Sequence, residues 1–554
     1  MPCLYFHPDA YTTKGRKVMG RHVAGESFLK GYLDHGKCED FAIQVESDKH
    51  SKVFDQFLGE CSKRLSYKTY DRFSACTDQF YKGVVFYPGP GLAEWSKLRS
   101  FASDTLWSIC GVTHTISSHG AMDSIANLVS SPVQPWDALV CTSDAVKKSV
   151  KELLSSQIDY LRHRLKATQF PLPQLPVIPL GTDTKKFAPP SPDEKQRVRE
   201  IFGIGANEIV CLFVGRLSFH AKANPLAMYR AIEEAAIQSG KSVVLLECGW
   251  FYNSHIEDSF AEARRLLCPS VRTIFVDGLD PNSAKAAWSA ADIFCSLVDN
   301  IQETFGITPV EAMAAGLPVV VSDWNGYKDT VRDGIDGFRI PTLAPSSTPT
   351  QFLHRAYAAG QIDYDAYLGL TSLQISIDHR RLVQALKLLF DSAELRLEMS
   401  EKALKRAQNV YDWASIIPQY EQLWDYLDEM RLAKQGSTLS STISHPVPER
   451  PDPFRFFANY PTQSLGIADS IRIVGDDDIG RLLDRYDEII ALKMFSSYLP
   501  SILARSQVEK SLTLIGSECV SVEIIAKSLK AEPSLVLRTV SFMIKIGLLE
   551  KVFN

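Results

Sequence analysis

The chain has 554 residues, with 60 lysines and arginines against 65 aspartates and glutamates, and 45% of its residues are apolar. This composition excludes a fibrous or disordered chain, and a formal charge of −5 excludes the overall basic field that coats nucleic acid. At about 100 to 200 residues per domain, the length predicts roughly three to five units, each able to bury its own core.

There is no run of about 18 apolar residues. The opening MPCLYFHPDAYTTKGRKVMG lacks the succession of charged, apolar and small residues of a secretory leader. A cytoplasmic protein, peripheral to a membrane at most, is expected. The 11 cysteines include no CxxC or other close pair, which argues against a zinc or redox motif. Their apolar settings, as in IVCLFVG around Cys211 and DIFCSLV around Cys295, predict reduced core residues.

In chain order, residues 1–185 hold short apolar runs at GVVFYPG (83–89), SICGVTHT (108–115) and DALVCTS (137–143). A segment with helical spacing, AVKKSVKELLSSQIDYLRHRL, follows the last of them. Alternating strand and helix predicts an open parallel sheet. The Pro-dense PLPQLPVIPLGTDTKKFAPPSPDEK reads as the connection to a second lobe, placed at 186–400. There EIVCLFVGRL, KSVVLLECG, VRTIFVDG, ADIFCSLV and LPVVVSD read as strands buried on both faces. The fold class is therefore α/β, with two doubly wound Rossmann-like domains facing a cleft and a small, mainly helical C-terminal domain. Residues 376–430 read as helical, and 401–432 are expected to pack back across the lobes. The Ser/Thr/Pro-rich 433–455 reads as a linker to an extension at 456–554.

The segment NIQETFGITPVEAMAAGLPVVVSD (300–323) carries the most chemistry. Glu303 and Glu311 are separated by a sharp turn and by a helix whose Pro309 suits a first turn. Such a helix aims unpaired N–H groups and its positive dipole end into the cleft, where a diphosphate is stabilised. Gly306 lets a phosphate approach the backbone. Glu303 is placed to accept from sugar hydroxyls, and Glu311 to bind a vicinal diol such as a ribose through two carboxylate oxygens.

This E-x7-E element, from Glu303 to Glu311, resembles the signature of retaining, family 4 type glycosyltransferases with the GT-B fold, and the likeness runs over roughly 1–430. VGRLSFHAKANP (214–225) is similar to the family's strand-end G-R-L element followed by a lysine. The resemblance therefore implies that Arg216 and Lys222 bind the donor diphosphate, across a loop longer and less acidic than is common in the family. It further implies a catalytic set of His114, Arg216, Lys222 and Glu303, with His119 as a neighbouring alternative to His114. The implied donor-binding set is Gly20, Arg21, Arg216, Lys222, Glu303, Thr304, Phe305, Gly306 and Glu311. Gly20 and Arg21 belong to GRHVAGESF, read as a glycine-rich loop before the first helix.

The reaction so implied moves a hexosyl group from a nucleoside diphosphate sugar, a UDP- or GDP-sugar, to a hydroxyl of a saccharide, lipid-linked or other acceptor, with retention of configuration. No metal and no cofactor beyond the donor is expected. Polysaccharide, lipid-linked saccharide or glycoconjugate synthesis is the setting.

Residues 505–554 look like a winged helix. Their second helix offers only Ser534, Arg538, Ser541 and Lys545 outside an apolar pattern, too few groups to read bases. Nucleic acid is therefore not expected as a partner; protein contact or self-association is. The alternative reading is a sugar-nucleotide-sensing regulator acting through this tail. The acidic GDDDIG (475–480) reads as a solvated turn.

Overall fold

The computed structural model describes residues 2–13, 20–37, 39–60, 65–347, 351–435, 447–475, 478–495 and 502–552. The chain divides into two compact units, Met1–Val447 and Pro448–Asn554.

The first unit contains two parallel six-stranded sheets. The first sheet is built from β1 (Pro2–Tyr5), β2 (Asp40–Gln44), β3 (Ser66–Tyr70), β4 (Val84–Tyr87), β5 (Ser108–Val112) and β6 (Ala138–Val140), in the order β3-β2-β1-β4-β5-β6. The second contains β7 (Ile209–Val214), β8 (Val243–Gly249), β9 (Arg272–Asp277), β10 (Ile293–Ser296), β11 (Val319–Ser322) and β12 (Gly337–Ile340), in the order β12-β11-β10-β7-β8-β9. Both have the doubly wound order, with a switch point between β1 and β4 in one and between β7 and β10 in the other.

The central strands are apolar throughout because helices cover both faces; every residue of β8 is buried. Cys3, Cys110, Cys141, Cys211, Cys248, Cys268 and Cys295 are buried and free, as their apolar neighbours predict.

The helix Trp413–Leu432 follows the second lobe in sequence but packs into the core of the first. Trp413, Tyr420 and Trp424 lie there with Phe28, Tyr32 and Phe86. The indole N–H of Trp413 donates to Ser27 Oγ at 2.8 Å. Gly31 and Gly181 flank this ring, and a Cβ on either would come within 2.4 and 2.5 Å of its atoms. Glycine at position 181 therefore lets the interlobe connection pass against Trp413. Further along, the buried Arg431 donates to the carbonyls of Thr105 and Leu106 at 3.1 and 3.2 Å, fastening the helix end to the first lobe.

An antiparallel pair of short strands, β13 (Thr342–Leu343) and β14 (Ser376–Ile377), interrupts the second lobe. Between them stand the helices Gln351–Ala358 and Tyr364–Ser372. The expectation that 376–430 is helical therefore needs an amendment, since it opens on β14.

The second unit, taken by itself, has helices Ile479–Ile490, Arg505–Ile515, Val522–Leu529 and Pro533–Lys545 around an antiparallel sheet. This sheet comprises β15 (Ser470–Ile473), β16 (Val520–Ser521) and β17 (Leu549–Lys551), in the order β16-β15-β17. Its core includes Ile471, Leu482, Leu512, Ile525, Val540 and Met543. Asp478 of the acidic turn caps a helix by accepting from Arg481 N at 3.0 Å; Asp476 and Asp477 lie outside the described residues, as do 436–446 of the expected linker. No helix of the described residues is long and apolar enough to cross a membrane.

Candidate active site

Two loops leave the switch point of the second sheet and are stitched together. After β7, Leu217 N donates to Trp250 O at 3.0 Å, and a turn follows in which Lys222 N donates to Ser218 O at 3.0 Å. After β10, Asp299 Oδ1 accepts from Asn224 N at 3.2 Å, and the buried Asn300 amide donates to the carbonyl of His220. The extended loop between Arg216 and Lys222 thus runs back toward β10. It sets Lys222 Nζ 3.1 Å from Glu303 Oε2.

The other carboxylate oxygen of Glu303 accepts from Thr304 N and Gly306 N, at 3.2 and 3.1 Å. Burial pushes the Glu303 carboxyl up, but Lys222 and the backbone N–H groups outweigh it and hold the group below its ordinary range. The Gly306 and Thr304 N–H groups, expected to face a phosphate, are therefore donated to Glu303. The first-turn N–H groups of Ile307 and Thr308 remain for an anion at the start of the helix Ile307–Ala314.

Gly306 has φ +81°, and a Cβ there would lie 1.9 Å from Tyr327 Cε1. It is required by the backbone and by the packed tyrosine, whatever the ligand. Phe305 is buried and faces Tyr411, so its side chain belongs to the core; the carbonyl of Thr304 accepts from Ser143 Oγ of the first lobe at 2.8 Å. The Phe305 side chain is therefore taken up by the core, and both backbone polar groups of Thr304 are engaged within the protein.

One helical turn further on, burial pushes the Glu311 carboxyl up to about 7, against the opposing charge of Lys186 from the interlobe connection. Asp299 is likewise pushed up to about 7 by burial.

Arg216 follows β7, on the loop that leads to Lys222. It is half-buried, and burial lowers its pKa against the opposing influence of Asp365 and Tyr364. Its guanidinium has no hydrogen-bond or ion-pair partner among the described residues. Among the described residues, this lobe therefore brings the unpaired Arg216, the Lys222–Glu303 ion pair, Lys186 facing Glu311, and a helix start to the site.

Across the cleft, His114 follows β5. Burial, with Arg21 and His22 nearby, brings its pKa down to about 4 despite a hydrogen bond to the backbone of Pro88, so the ring is neutral at pH 7. The neighbouring His119 has a different task. Its ring stacks on Tyr357 of the other lobe at 3.8 Å, and its backbone N–H donates to the Tyr357 hydroxyl at 3.1 Å.

GRHVAGESF is not a loop but the start of the helix Gly20–His35. Gly20 faces open space, with nothing within 4 Å of a built Cβ, and the exposed Arg21 donates from Nε to His22 Nε2 at 3.3 Å. Gly25 is the glycine that packing requires here, since its Cβ would lie 1.9 Å from the carbonyl oxygen of Ala10.

Several site residues were not anticipated from the sequence: Lys186 facing Glu311, Gln302 next to Glu303, and Tyr364. One further cluster lies at the ends of β1 and β2, where His7, Glu46 and His50 bring ligand atoms within 4.8 Å of one another. His7 Nδ1 already accepts from Asp9 N at 3.2 Å as a helix cap, and Glu46 receives the Tyr5 hydroxyl at 3.1 Å.

Two doubly wound lobes with strand ends facing each other across a cleft, tied back by a final helix, define the GT-B fold. A solved structure described as Anabaena Alr3699/HepE in complex with UDP superposes with a TM-score of 0.50 over 77% of this chain and 100% of that one, at 14% identity. Residues 194–347, which hold Arg216, Lys222, Glu303 and Glu311, match the family described as Glycosyl transferases group 1.

Among curated relatives, a D-inositol 3-phosphate glycosyltransferase of Nocardia farcinica is 28% identical over 169 residues, covering 30% of this chain and 36% of that protein. Another D-inositol 3-phosphate glycosyltransferase, from Kribbella flavida, is 29% identical over 242 residues, 42% of this chain and 54% of its own length. The putative glycosyltransferase EpsD of Bacillus subtilis is 29% identical over 163 residues, 29% of this chain and 40% of its own. The chain thus spans between about a third and about half of these relatives' length.

Proposed function

We propose that this chain is a retaining hexosyltransferase that moves a sugar from a UDP- or GDP-sugar to a hydroxyl of a saccharide, lipid-linked or other acceptor. The observation that carries the reading is the Lys222–Glu303 ion pair at the switch point of the second sheet, next to the start of the helix Ile307–Ala314, in the same lobe as the half-buried Arg216, whose guanidinium has no hydrogen-bond or ion-pair partner among the described residues. The names of the curated relatives support a sugar transfer.

Departure of a nucleoside diphosphate builds negative charge on its terminal phosphate. Arg216, Lys222 and the first-turn N–H groups are disposed to meet that charge more strongly in the transition state than in the ground state. Glu303, held ionised by Lys222, orients sugar hydroxyls and is not a nucleophile. Glu311 binds the ribose diol. The neutral His114 exchanges hydrogen bonds with the sugar from the other lobe. Retention follows from attack on the face the diphosphate leaves, its oxygen taking the acceptor proton.

The extension contributes a winged-helix-like unit for a protein contact, since the outward positions of the helix Pro533–Lys545 carry only Arg538 and Lys545 as cations. The deciding test is a thermal-shift series with UDP, GDP, ADP and their sugar derivatives, with and without magnesium. Stabilisation by one nucleotide family, lost in Arg216→Ala and Glu311→Ala, is the expected result. Equal affinity in both variants, with the fold intact, would overturn the assignment.

A further inference from the structure

The family match ends at residue 347, where the chain enters the excursion between β13 and β14. Its two helices are fastened by Tyr357 stacked on Tyr367, with centroids 4.2 Å apart and planes at 4°. The excursion does not stand free in solvent. It reaches the loop after His114, the loop before Glu303 and the turn before Lys222. A Cβ on Gly369 would lie 3.1 Å from His220 Cβ, so the second helix packs closely on that turn.

Tyr364 is where these loops meet. Its hydroxyl lies 3.2 Å from Thr115 Oγ1 and 2.8 Å from Ser117 Oγ, both in the first lobe, and accepts from Gln302 Nε2 at 3.3 Å in the second. A phenol offers one donor and two acceptor positions, so three partners from two lobes use its whole capacity. Thr115 and Ser117 follow His114, and Gln302 precedes Glu303. His114 and Glu303 are the residues assigned above to the sugar, whereas Glu311 is assigned to the nucleoside. The Tyr364 hydroxyl therefore bridges the two walls that enclose the glycosyl group, and its hydrogen-bond partners among the described residues do not include Glu311.

We infer that Tyr364 is a positioning residue that sets the separation of the His114 and Glu303 loops and thereby determines which glycosyl group the donor site accepts. The inference rests on the transferase reading. It also gives the excursion a role: it supplies a specificity wall from outside the segment that matches the family.

The test is calorimetric titration of the full chain with a nucleoside diphosphate and with its glucose conjugate, beginning with UDP and UDP-glucose and extending to the GDP and ADP pairs. Tyr364→Phe keeps the ring and removes the hydroxyl. The expected result is a nucleoside diphosphate affinity within about twofold of wild type and a sugar-conjugate affinity weaker by about fivefold or more, the effect of one lost hydrogen-bond centre. Ser117→Ala, which removes one partner without touching the excursion, is expected to shift the same ratio in the same direction and serves if the phenylalanine variant folds poorly.

An unchanged ratio, or equal weakening of both ligands, overturns the inference while leaving the transferase reading in place. If no nucleoside diphosphate binds wild type, or if Arg216→Ala binds it as well as wild type does, the transferase reading falls and the inference with it.

Discussion

Lys222 Nζ sits 3.1 Å from Glu303 Oε2, and the two residues reach each other from loops that follow different strands of the second sheet. Glu303 also takes two backbone N–H groups, so its ionised form has three donors. Lysine is the charge that tips the balance, because burial alone pushes this carboxyl up.

Lys222→Met is therefore expected to raise the Glu303 titration midpoint above its ordinary value, readable by carbon NMR of labelled glutamate. In the same variant, acceptor-free release of nucleoside diphosphate from the donor should fall by about a hundredfold, the usual cost of one lost transition-state charge partner. A Glu303 midpoint identical to wild type would show that the backbone N–H groups hold the carboxylate unaided.

Glu311 predicts a pH dependence of stability. Its folded pKa, about 7, stands above the model-peptide value of 4.5. In the window between these values the folded state holds a proton that the unfolded state has lost. The stabilisation associated with this group is therefore fully present below the lower value and is lost as pH rises through the upper one. Glu311→Gln imitates the protonated acid at every pH. The melting temperature of wild type relative to Glu311→Gln is expected to fall between pH 4.5 and pH 8. Asp299, raised for the same reason, and His114, lowered, act on both proteins and cancel in the difference. A flat difference across the range would show that Glu311 ionises at its ordinary value.

β4, β5 and β6 of the first sheet and β7 to β11 of the second were legible because most of them are apolar runs, uninterrupted where both faces are buried, as in VVLLECG of β8. β3, SYKTY, was not, since it is an edge strand with mostly exposed polar residues; β1, β2 and β12 also went unread, and each includes polar or special residues, Pro2 in β1, Asp40 and Gln44 in β2, and Gly337 and Arg339 in β12. The first half of the helix Gly20–His35, GRHVAGESF, read as a loop because Gly20 and Gly25, with Gly31 further on, depress helix propensity. Two of those glycines serve tertiary packing, against Ala10 and Trp413, which a local pattern does not disclose.

The strings that hold Arg216, Lys222, Glu303 and Glu311 stood out because they follow β7 and β10 or open the helix Ile307–Ala314, and the structure brings Lys222 and Glu303 together. Tyr364 did not. Its partners Gln302 and Thr115 lie 62 and 249 residues away, and nothing in QIDYDAYLGL marks it as more than one helical tyrosine among several.

Gly306→Ala is expected to destabilise the second lobe strongly. A φ of +81° strains any residue with a Cβ, and that atom would lie 1.9 Å from the ring of Tyr327. Tyr327 is buried, with its hydroxyl 3.0 Å from Ser296 Oγ, so the ring cannot move cheaply. Backbone strain of about 1–3 kcal/mol and overpacking of similar size together predict about 2–6 kcal/mol, measurable as a lower urea midpoint. Combining Gly306→Ala with Tyr327→Ala should cost less than the sum of the single changes, because the smaller side chain removes the overlap and leaves only the backbone term. Full additivity would mean that the ring and the glycine do not meet.

In the first lobe, Arg99 and Asp137 form a pair with no solvent exposure on either side chain. Two guanidinium nitrogens reach the two carboxylate oxygens at 2.6 and 2.8 Å, and Arg99 also donates to the carbonyl of Trp107 at 2.8 Å. Asp137 accepts in addition from Ile109 N and Gln134 N, at 2.9 and 2.7 Å. The pair therefore joins the helix Leu92–Ser100 to the β5 and β6 ends of the sheet that carries His114. Removing one partner leaves the other charge buried, so Asp137→Ala is expected to cost about 3–5 kcal/mol. Arg99→Met with Asp137→Leu removes both charges and fills the volume, so it should recover much of that loss. Chemical denaturation of the wild type, both single variants and the double variant measures the coupling. A double variant as unstable as the sum of the single ones would mean that the lobe needs the hydrogen bonds to Ile109, Gln134 and Trp107 more than it needs the pairing of the two charges.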